Sequence, residues 1–406
     1  MNEFEKGFVA GMLAPKKKSE NPYANYDDNW SYPSYWLQLP EPKENQVIML
    51  IDNKGGTINS EESYTYIPHI NTIENTKTTI NWGDGSDVES ISDVNESGHI
   101  YERDKGHSSI KSKQWIVTIT FDEDAEDGSE YISTLQFDTS SMYVLAIKIG
   151  HSKYIGNYEN NRGLTKCDKA NLHYAKICRG EFNFSFYRAY YLRQVELNKY
   201  ITSIPEQAFY CNYLLETVNT ENIECINKQG FAWCSRFSSN FPKLEKVCEE
   251  GLYCTKIKEI TDYNFPKLKT IGTRSFSGVQ GISFLKKIDS NSIETIESYA
   301  FDSCCKLESI KINSVKSIGE YAFNWCNSLQ SVELQKCEHI GNGAFFNCYM
   351  LQSADVRKTD NVNLFGSSND EYNACTDLKT LIVPSGIEFN KVSLFGHFMY
   401  LDIQYV

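Results

Sequence analysis

The sequence has little positive charge and no long apolar run. Lys and Arg number 40 against 53 Asp and Glu, which gives a net charge of −13. Nucleic acid binding needs clustered Lys and Arg, and the one such cluster, at Lys16, Lys17 and Lys18, is better explained as a solvated linker. Because no run reaches 18 apolar residues, the sequence predicts no membrane-spanning helix and no membrane insertion.

Motifs of catalysis and metal binding are also missing. The sequence has no G-x-S-x-G motif, no P-loop and no dinucleotide-binding glycine motif. It has no C-x-x-C or H-E-x-x-H motif, and its seven histidines do not have ligand spacing. We therefore predict a protein that is not an enzyme, with no catalytic residues, no cofactor and no metal. A glycosidase with two carboxylates far apart in the chain stays an alternative.

A phrase with a period of 22 residues repeats in the second half of the chain. Three copies carry an isoleucine, a phenylalanine, a cysteine, a leucine and two alternating apolar residues: Ile296, Phe301, Cys304, Leu307, Ile310 and Ile312; Ile318, Phe323, Cys326, Leu329, Val332 and Leu334; Ile340, Phe345, Cys348, Leu351, Ala354 and Val356. A unit this short cannot bury its apolar side chains alone, so the period predicts a solenoid of stacked copies. Less regular copies extend the array over residues 175–406.

The spacing within each copy predicts its local structure. The steps of three residues from Phe to Cys to Leu fit a short helical or 3₁₀ segment, and the following alternation fits a strand. Stacked strands would form a parallel sheet whose outward positions line up in columns. The predicted ligand-binding residues are these outward positions and two aromatic residues of the adjoining turns: Ser309, Lys311, Ser331, Glu333, Ser353, Asp355, Trp325 and Tyr349.

The phrase SIGEYAFNWCNSLQSVEL, residues 317–334, resembles the BspA-type leucine-rich repeat. The resemblance is specific in three copies and degenerate in the others. It implies a surface solenoid that binds protein or glycan, commonly as an adhesin, and that has no catalytic activity. The family has no fixed ligand-contact residues that could be assigned to this sequence.

All 13 cysteines follow residue 166, and several fall on the repeat. The number is odd, and Cys234, Cys304, Cys326 and Cys348 share one position of the repeat. Small apolar thiols suit a packed interior, so we predict reduced core cysteines made in a reducing compartment. Disulfides and metal ligation are the alternatives.

Residues 46–150 lack cysteine and alternate short β-type runs with polar turns. The segments TINWGDGS at residues 79–86, His99-Ile100-Tyr101 and WIVTITF at residues 115–121 resemble a PKD-type immunoglobulin-like domain, which implies a β-sandwich that acts as a spacer. Asp84 in the Gly-Asp-Gly sequence is predicted to form a turn, with a calcium ligand as the alternative. Residues 151–174 are predicted to be a linker or a cap of the solenoid.

Residues 1–45 combine aromatic residues with proline, asparagine and aspartate. We predict an extended arm, because the segment is too aromatic for an inert tail and too rich in proline for a helix. Its rings either dock on another subunit or pack on the same chain, and the predicted assembly residues are Trp30, Tyr32, Tyr35 and Trp36. The phrases GFVAGMLAPKKK and YWLQLPEPKENQVIMLI are similar to N-terminal attachment segments of phage tail or baseplate proteins.

The predicted fold class is therefore mainly β with short helices: a leucine-rich-repeat solenoid, an immunoglobulin-like β-sandwich before it, and an N-terminal arm. Because the N-terminus does not resemble an export signal, we expect a phage tail, baseplate or tail-fibre component that is made in the host cytoplasm. The arm would bind other tail or baseplate subunits, and the solenoid would bind a host surface protein or glycan. A bacterial cell-surface adhesin or scaffold is the alternative, and a cell-wall hydrolase accessory is a third possibility. A homo-oligomer stays open.

Overall fold

The structure is a computed structural model. It describes residues 30–52, 69–71, 78–91, 107–109, 112–121, 134–136, 144–155, 163–165, 171–279, 283–359, 361, 363–365, 375, 377–387 and 401–406. The motif residues His99 and Tyr101 and the lysines at positions 16, 17 and 18 lie outside these ranges.

The protein is mainly β, with nearly no helix in the described residues. It forms two compact units, which comprise Asp28–Asn219 and the chain from Thr220–Val406. Within the described ranges there is a single 3₁₀ helix, Ser152–Tyr154. The domain boundaries that the sequence suggested after residues 45, 150 and 174 stay predictions.

The first unit contains strands β1 to β13. Their bounds are β1 Gln46–Asp52, β2 His69–Asn71, β3 Thr78–Asn81, β4 Glu89–Ile91, β5 His107–Ser109, β6 Ser112–Phe121, β7 Thr134–Gln136, β8 Val144–Ile149, β9 Gly163–Thr165, β10 Tyr174–Ile177, β11 Gln194–Leu197, β12 Ser203–Ile204 and β13 Thr217–Val218. Nine of these strands form one sheet in the order β13-β11-β10-β8-β1-β6-β3-β4, with β5 also paired to β6. Strands β2, β7 and β9 form a separate sheet.

The large sheet changes from antiparallel to parallel pairing at β8. On one side β8 pairs antiparallel with β1, and on the other it pairs parallel with β10. From β10 the parallel pairing continues through β11 to β13. The solenoid type of stacking therefore begins on a strand of the region that precedes the repeats. The described residues do not establish an immunoglobulin-like sandwich, which stays a prediction.

The turn after β3 explains the sequence Trp82-Gly83-Asp84-Gly85. Trp82 is buried and its indole Nε1 donates to Glu89 Oε2 at 3.0 Å. Asp84 Oδ1 accepts hydrogen bonds from the backbone N–H and the hydroxyl of Ser86, at 3.0 and 2.6 Å. The carboxylate thus forms an Asx-type turn, as the sequence suggested.

The second unit contains strands β14 to β26. Their bounds are β14 Cys225–Ile226, β15 Lys246–Val247, β16 Glu259–Thr261, β17 Thr270–Ile271, β18 Lys287–Ser290, β19 Thr295–Ile296, β20 Ser309–Ile312, β21 Ser317–Ile318, β22 Ser331–Glu333, β23 His339–Ile340, β24 Ser353–Asp355, β25 Thr380–Val383 and β26 Asp402–Tyr405. Strands β14, β15, β17, β19, β21 and β23 are consecutive in one parallel sheet. The strands β16, β18, β20, β22, β24, β25 and β26 form a second parallel sheet, here called the long-strand sheet.

The apolar residues of the repeat face the interior, as predicted. All eighteen template residues of the three regular copies are at most 3 % exposed. Phe301 and Phe323 stack with ring centroids 5.1 Å apart and an interplanar angle of 5°, and Phe345 continues the column at 5.5 Å. Each copy therefore completes the core of its neighbour, which confirms the predicted solenoid.

The prediction of a short helix in each copy is wrong. The residues between the two strands of a copy form successive turns, and two positions per copy have positive φ, such as 54° at Tyr321 and 58° at Trp325. Alternate backbone N–H groups leave the copy: those of Tyr299, Phe301 and Ser303 donate to the following copy. An α-helix needs negative φ and internal hydrogen bonds at every residue. Neither condition holds in these turns.

Replacing Gly83 by alanine should destabilise the first unit more than replacing Gly85. Both glycines have positive φ, of 78° and 85°. A Cβ on Gly83 would lie 2.3 Å from the carbonyl oxygen of Ile116, whereas a Cβ on Gly85 meets nothing within 4 Å. Gly85→Ala should cost about 1 kcal/mol for the backbone conformation alone. Urea unfolding of both variants measures the difference, and equal losses would contradict the close approach to β6.

Phe323→Ala should lower the free energy of unfolding by about 3 to 5 kcal/mol, because it leaves a cavity in the phenylalanine column. Phe284→Ala is the matched control, since Phe284 is only half-buried and lies against the Lys306 amine at 4.9 Å. The midpoint of urea unfolding, followed by circular dichroism, compares the two. A loss well below about 1 kcal/mol for Phe323→Ala would contradict the inward face.

Candidate ligand-binding surface of the solenoid

Three strands of the long-strand sheet bring six of the predicted binding residues into two rows. The first row contains Ser309, Ser331 and Ser353, and the second contains Lys311, Glu333 and Asp355. Residues in register on neighbouring parallel strands lie about 4.8 Å apart, so each row has the spacing of the coils. The structure therefore brings these six residues together as predicted.

The two rows differ in exposure. Lys311 and Glu333 are exposed, and the three serines are half-buried. Within the described part of the chain, none of these five side chains forms an ion pair or a hydrogen bond. Their donors and acceptors are thus available to a ligand.

Asp355 is an exception, because it is engaged within the protein. It is 9 % exposed, and both of its carboxylate oxygens accept from Arg357, from Nε at 2.9 Å and from Nη2 at 2.6 Å. The hydrogen bonds to Asp355, together with its charge, raise the pKa of the Arg357 guanidinium. This fork-shaped pair neutralises both charges, so position 355 offers a ligand no free carboxylate. Strand alternation could not predict this pair, because β24 ends at Asp355 and Arg357 lies beyond it.

Trp325 and Tyr349 lie in the turns and not on the strands. The two half-buried rings contact each other edge to face, with centroids 5.9 Å apart and an interplanar angle of 77°. Tyr349 also donates from its hydroxyl to Asn347 Oδ1 at 3.1 Å. The eight predicted residues therefore divide between two parts of each coil: six on the strands and two on the turns.

An open depression of about 570 Å³ lies elsewhere on the second unit. Its lysines are largely paired: Lys316 contacts Glu294 at 2.6 Å, and Lys269 contacts Glu245 at 3.4 Å. Exposed ion pairs of this kind contribute little to stability and leave no concentrated charge for a ligand. We therefore do not assign a binding site here.

A column of cysteines lines the interior beside the phenylalanines. Four fully buried thiols each donate to the carbonyl oxygen of a phenylalanine in the preceding copy: Cys304 to Phe276 at 3.3 Å, Cys326 to Phe301 at 3.4 Å, Cys348 to Phe323 at 3.2 Å and Cys375 to Phe345 at 3.1 Å. Burial raises the pKa of all four thiols. They are neutral, inert core residues, and the twelve cysteines that the structure describes are free.

The family model for the BspA type leucine rich repeat region matches six copies in this chain, over residues 182–283, 245–379 and 294–402. The protein belongs to this family. The match spans more than half of the chain and includes all three regular copies. The BspA-type repeats thus contain the six strand residues, Trp325 and Tyr349. Leucine-rich-repeat proteins of this class are generally binding or scaffold proteins, and nothing in the described residues indicates catalysis.

Several solved structures are similar to this chain. A leucine-rich repeat protein from Bacteroides ovatus ATCC 8483 is 19 % identical, with a TM-score of 0.41, and the match covers 70 % of this chain and 74 % of that one. A leucine rich cell surface protein from Faecalibacterium prausnitzii A2-165 is 16 % identical, with a TM-score of 0.21 and coverage of 55 % and 86 %. No residue role is transferred from them. No curated protein matches the chain in sequence.

The described residues contain neither a helix that could span a membrane nor a group of three or more potential metal ligands.

Before the BspA-type repeats, three of the described aromatic residues of the predicted arm, Trp30, Tyr32 and Trp36, pack on their own chain. Trp36 is buried in a cluster with Leu39, Ile48, Leu50, Ala146 and Tyr174, and Trp30 and Tyr32 pack against the same cluster. The backbone N–H of Trp30 also donates to Glu216 Oε2 at 3.1 Å. These three rings therefore pack on the same chain and do not need another subunit to cover them. Among the described aromatic residues of the arm, only Tyr35, at 59 % exposure, keeps its ring largely available to a partner.

His173 lies at the centre of this aromatic cluster. Its ring contacts Trp36 at 5.7 Å, Tyr191 at 6.1 Å and Trp30 at 6.3 Å between centroids. Burial, together with the nearby Arg193 charge, lowers the pKa of His173 to about 4, although the hydrogen bond to the Asn171 carbonyl acts in the opposite direction. The folded protein therefore holds a neutral imidazole where the unfolded chain would bind a proton below pH 6.5. Periodicity could not predict this contact, because it joins segments far apart in the sequence.

The first unit should lose stability as the pH falls from 6.5 to about 4. In that range the unfolded chain binds a proton at His173 and the folded chain does not, so the free energy of unfolding decreases, by up to about 3 kcal/mol. Replacing His173 by phenylalanine should flatten this dependence, whereas the same change at the exposed His339 should not. Urea unfolding at several pH values measures it. A His173→Phe curve parallel to the wild type would contradict the assignment.

Proposed function

We propose that the protein binds a ligand through the outward face of the long-strand sheet and is not an enzyme. The observation that carries the proposal is the set of unengaged side chains in register: Ser309, Ser331, Ser353, Lys311 and Glu333. Solenoids of stacked repeats generally use such extended surfaces for recognition. Trp325 and Tyr349 are included as candidate anchors, because Trp and Tyr dominate binding hot spots.

The proposed setting is a phage tail, baseplate or tail fibre, where the solenoid recognises a protein or glycan on the host surface. Two features support it: the resemblance of the N-terminal phrases to tail attachment segments, and a core of free thiols, which suits synthesis in a reducing compartment. In this proposal the arm contacts other tail or baseplate subunits, with Tyr35 as its available ring. The β-rich region that follows would be a PKD-like spacer.

A bacterial cell-surface adhesin or scaffold is the second candidate. The BspA-type family favours it, because its members commonly serve as surface adhesins. The genes beside the coding sequence distinguish the two candidates. Genes for the tail tube or baseplate would favour the virion, and genes for cell-wall proteins would favour the bacterial surface.

The double variant Lys311→Ala and Glu333→Ala should weaken adsorption of the purified protein to host cells by about tenfold or more, because it removes both exposed charges of the second row. Lys316→Ala with Glu294→Ala is the matched control, since it removes an exposed Lys and a Glu elsewhere on the same unit. A sedimentation assay measures adsorption, and thermal unfolding should be unchanged for both variants. Equal adsorption of the two would contradict the proposed face.

A further inference from the structure

The turns of three consecutive coils form a second surface. The proposed function uses only Trp325 and Tyr349 of this surface. We call it the turn face and define it by residues 297–308, 319–330 and 341–352. Backbone hydrogen bonds fix its register: the N–H groups of Tyr299, Phe301 and Ser303 donate to the carbonyl oxygens of Glu320, Ala322 and Asn324, at 3.0, 2.8 and 2.8 Å. Side chains at equivalent positions of the turns therefore form rows.

A chain of polar side chains, here called the polar row, runs across the three turns. Asp302 and Asn324 occupy equivalent positions, and Asn347 continues the chain from the position after the equivalent one, which Phe346 occupies. Asn324 Nδ2 donates to Asp302 Oδ1 at 2.7 Å, and Asn347 Nδ2 donates to Asn324 Oδ1 at 3.1 Å. The hydroxyl of Tyr349 donates to Asn347 Oδ1 at 3.1 Å. Each primary amide has two N–H groups and an oxygen with two lone pairs, so the half-buried Asn324 keeps a donor and an acceptor position beyond these bonds.

Aromatic rings lie on both sides of this polar row in sequence. On one side Tyr299 and Tyr321 stack at 5.3 Å, and Phe346 contacts Tyr321 edge to face at 6.1 Å. On the other side Trp325 and Tyr349 contact each other at 5.9 Å. All five rings are half-buried, so the protein holds each ring in place while part of it faces solvent.

This combination restricts the chemistry of a ligand. Sugars offer hydroxyls that both donate and accept beside apolar C–H faces, which match amides and aromatic rings respectively. An anion would meet the carboxylate of Asp302. A protein hot spot requires a desolvated apolar pocket. Among the described residues of the turn face, Met350, at 45 % exposure, is the only large hydrophobic residue that counts as exposed. The regular spacing of the coils suits a ligand built of repeated units.

We propose that the turn face is a binding site for a neutral oligosaccharide, with Trp325 and Tyr349 contacting the sugar ring and Asn324 and Asp302 hydrogen-bonding its hydroxyls. The polar row also stabilises the stacking of the turns, so its residues serve both the fold and the ligand. The site rests on the proposed function for Trp325 and Tyr349, which are also its candidate anchors, but it does not use the strand residues Lys311 and Glu333.

The test is binding of the full-length protein to a panel of immobilised neutral oligosaccharides built of hexoses and N-acetylhexosamines. We expect the wild type to bind at least one member, and Trp325→Ala and Asn324→Ala each to weaken that binding by about tenfold or more. Tyr263→Ala is the matched control, because Tyr263 is 86 % exposed and lies outside the turn face. Thermal unfolding of every variant shows whether a loss reflects binding or folding.

Trp325→Phe tests the role of the ring without the loss of packing, and it should keep part of the binding that Trp325→Ala loses. The double variant Lys311→Ala and Glu333→Ala should bind the sugar as the wild type does, so this site and the strand face can fail independently. Binding by Trp325→Ala equal to that of the wild type would overturn the proposal. So would the absence of wild-type binding to every member of the panel.

Discussion

Hydrogen bonds between the turns of neighbouring coils are the constraint on which the second unit depends. A single coil has no core of its own, because its Ile, Phe, Cys and Leu side chains are covered only when another coil lies beside it. In the turns, successive backbone N–H groups alternate between an acceptor in the same coil and an acceptor in the next coil. This division aligns the phenylalanines in a column and leaves the remaining side chains in outward rows. The core and both proposed binding faces thus have one origin.

The cysteines contribute to the same arrangement. The carbonyl oxygen of Phe301 accepts from the N–H of Cys304 in its own coil and from the thiol of Cys326 in the next. A buried carbonyl is thereby saturated by groups from two coils, which satisfies the rule that buried polar groups are hydrogen-bonded. The recurrence of cysteine is therefore explained by packing and by this donor, and not by disulfides or metal.

The parts of the fold that depend on a short period could be predicted from the sequence, and the parts that depend on distant contacts could not. The inward set that includes Phe323 and Leu329 followed from the 22-residue repeat, and the outward rows followed from strand alternation. The turn conformation was mistaken for helix, because Tyr321 and Trp325 are not residues that signal positive φ. The packing of Trp36 around His173 joins residues that no local pattern relates. The pairing of Asp355 with Arg357 could not be predicted from strand alternation either, because β24 ends at Asp355.

The turns give the stack a polarity. In the middle of each turn the shared N–H groups point toward the C-terminal neighbour and the shared carbonyls toward the N-terminal one, as the bond from Phe301 to Ala322 and that from Phe323 to Ala344 illustrate. At the edge of the turn the sense is reversed, since the Gln330 N–H donates to the Glu308 carbonyl of the preceding coil. An array of this kind tolerates lengthening or shortening by a complete coil, since donors still meet acceptors at the new junction. A fraction of a coil would instead set donor against donor and shift the phenylalanine column out of line. Duplication of complete coils is accordingly the change in length that such a chain accepts at least cost.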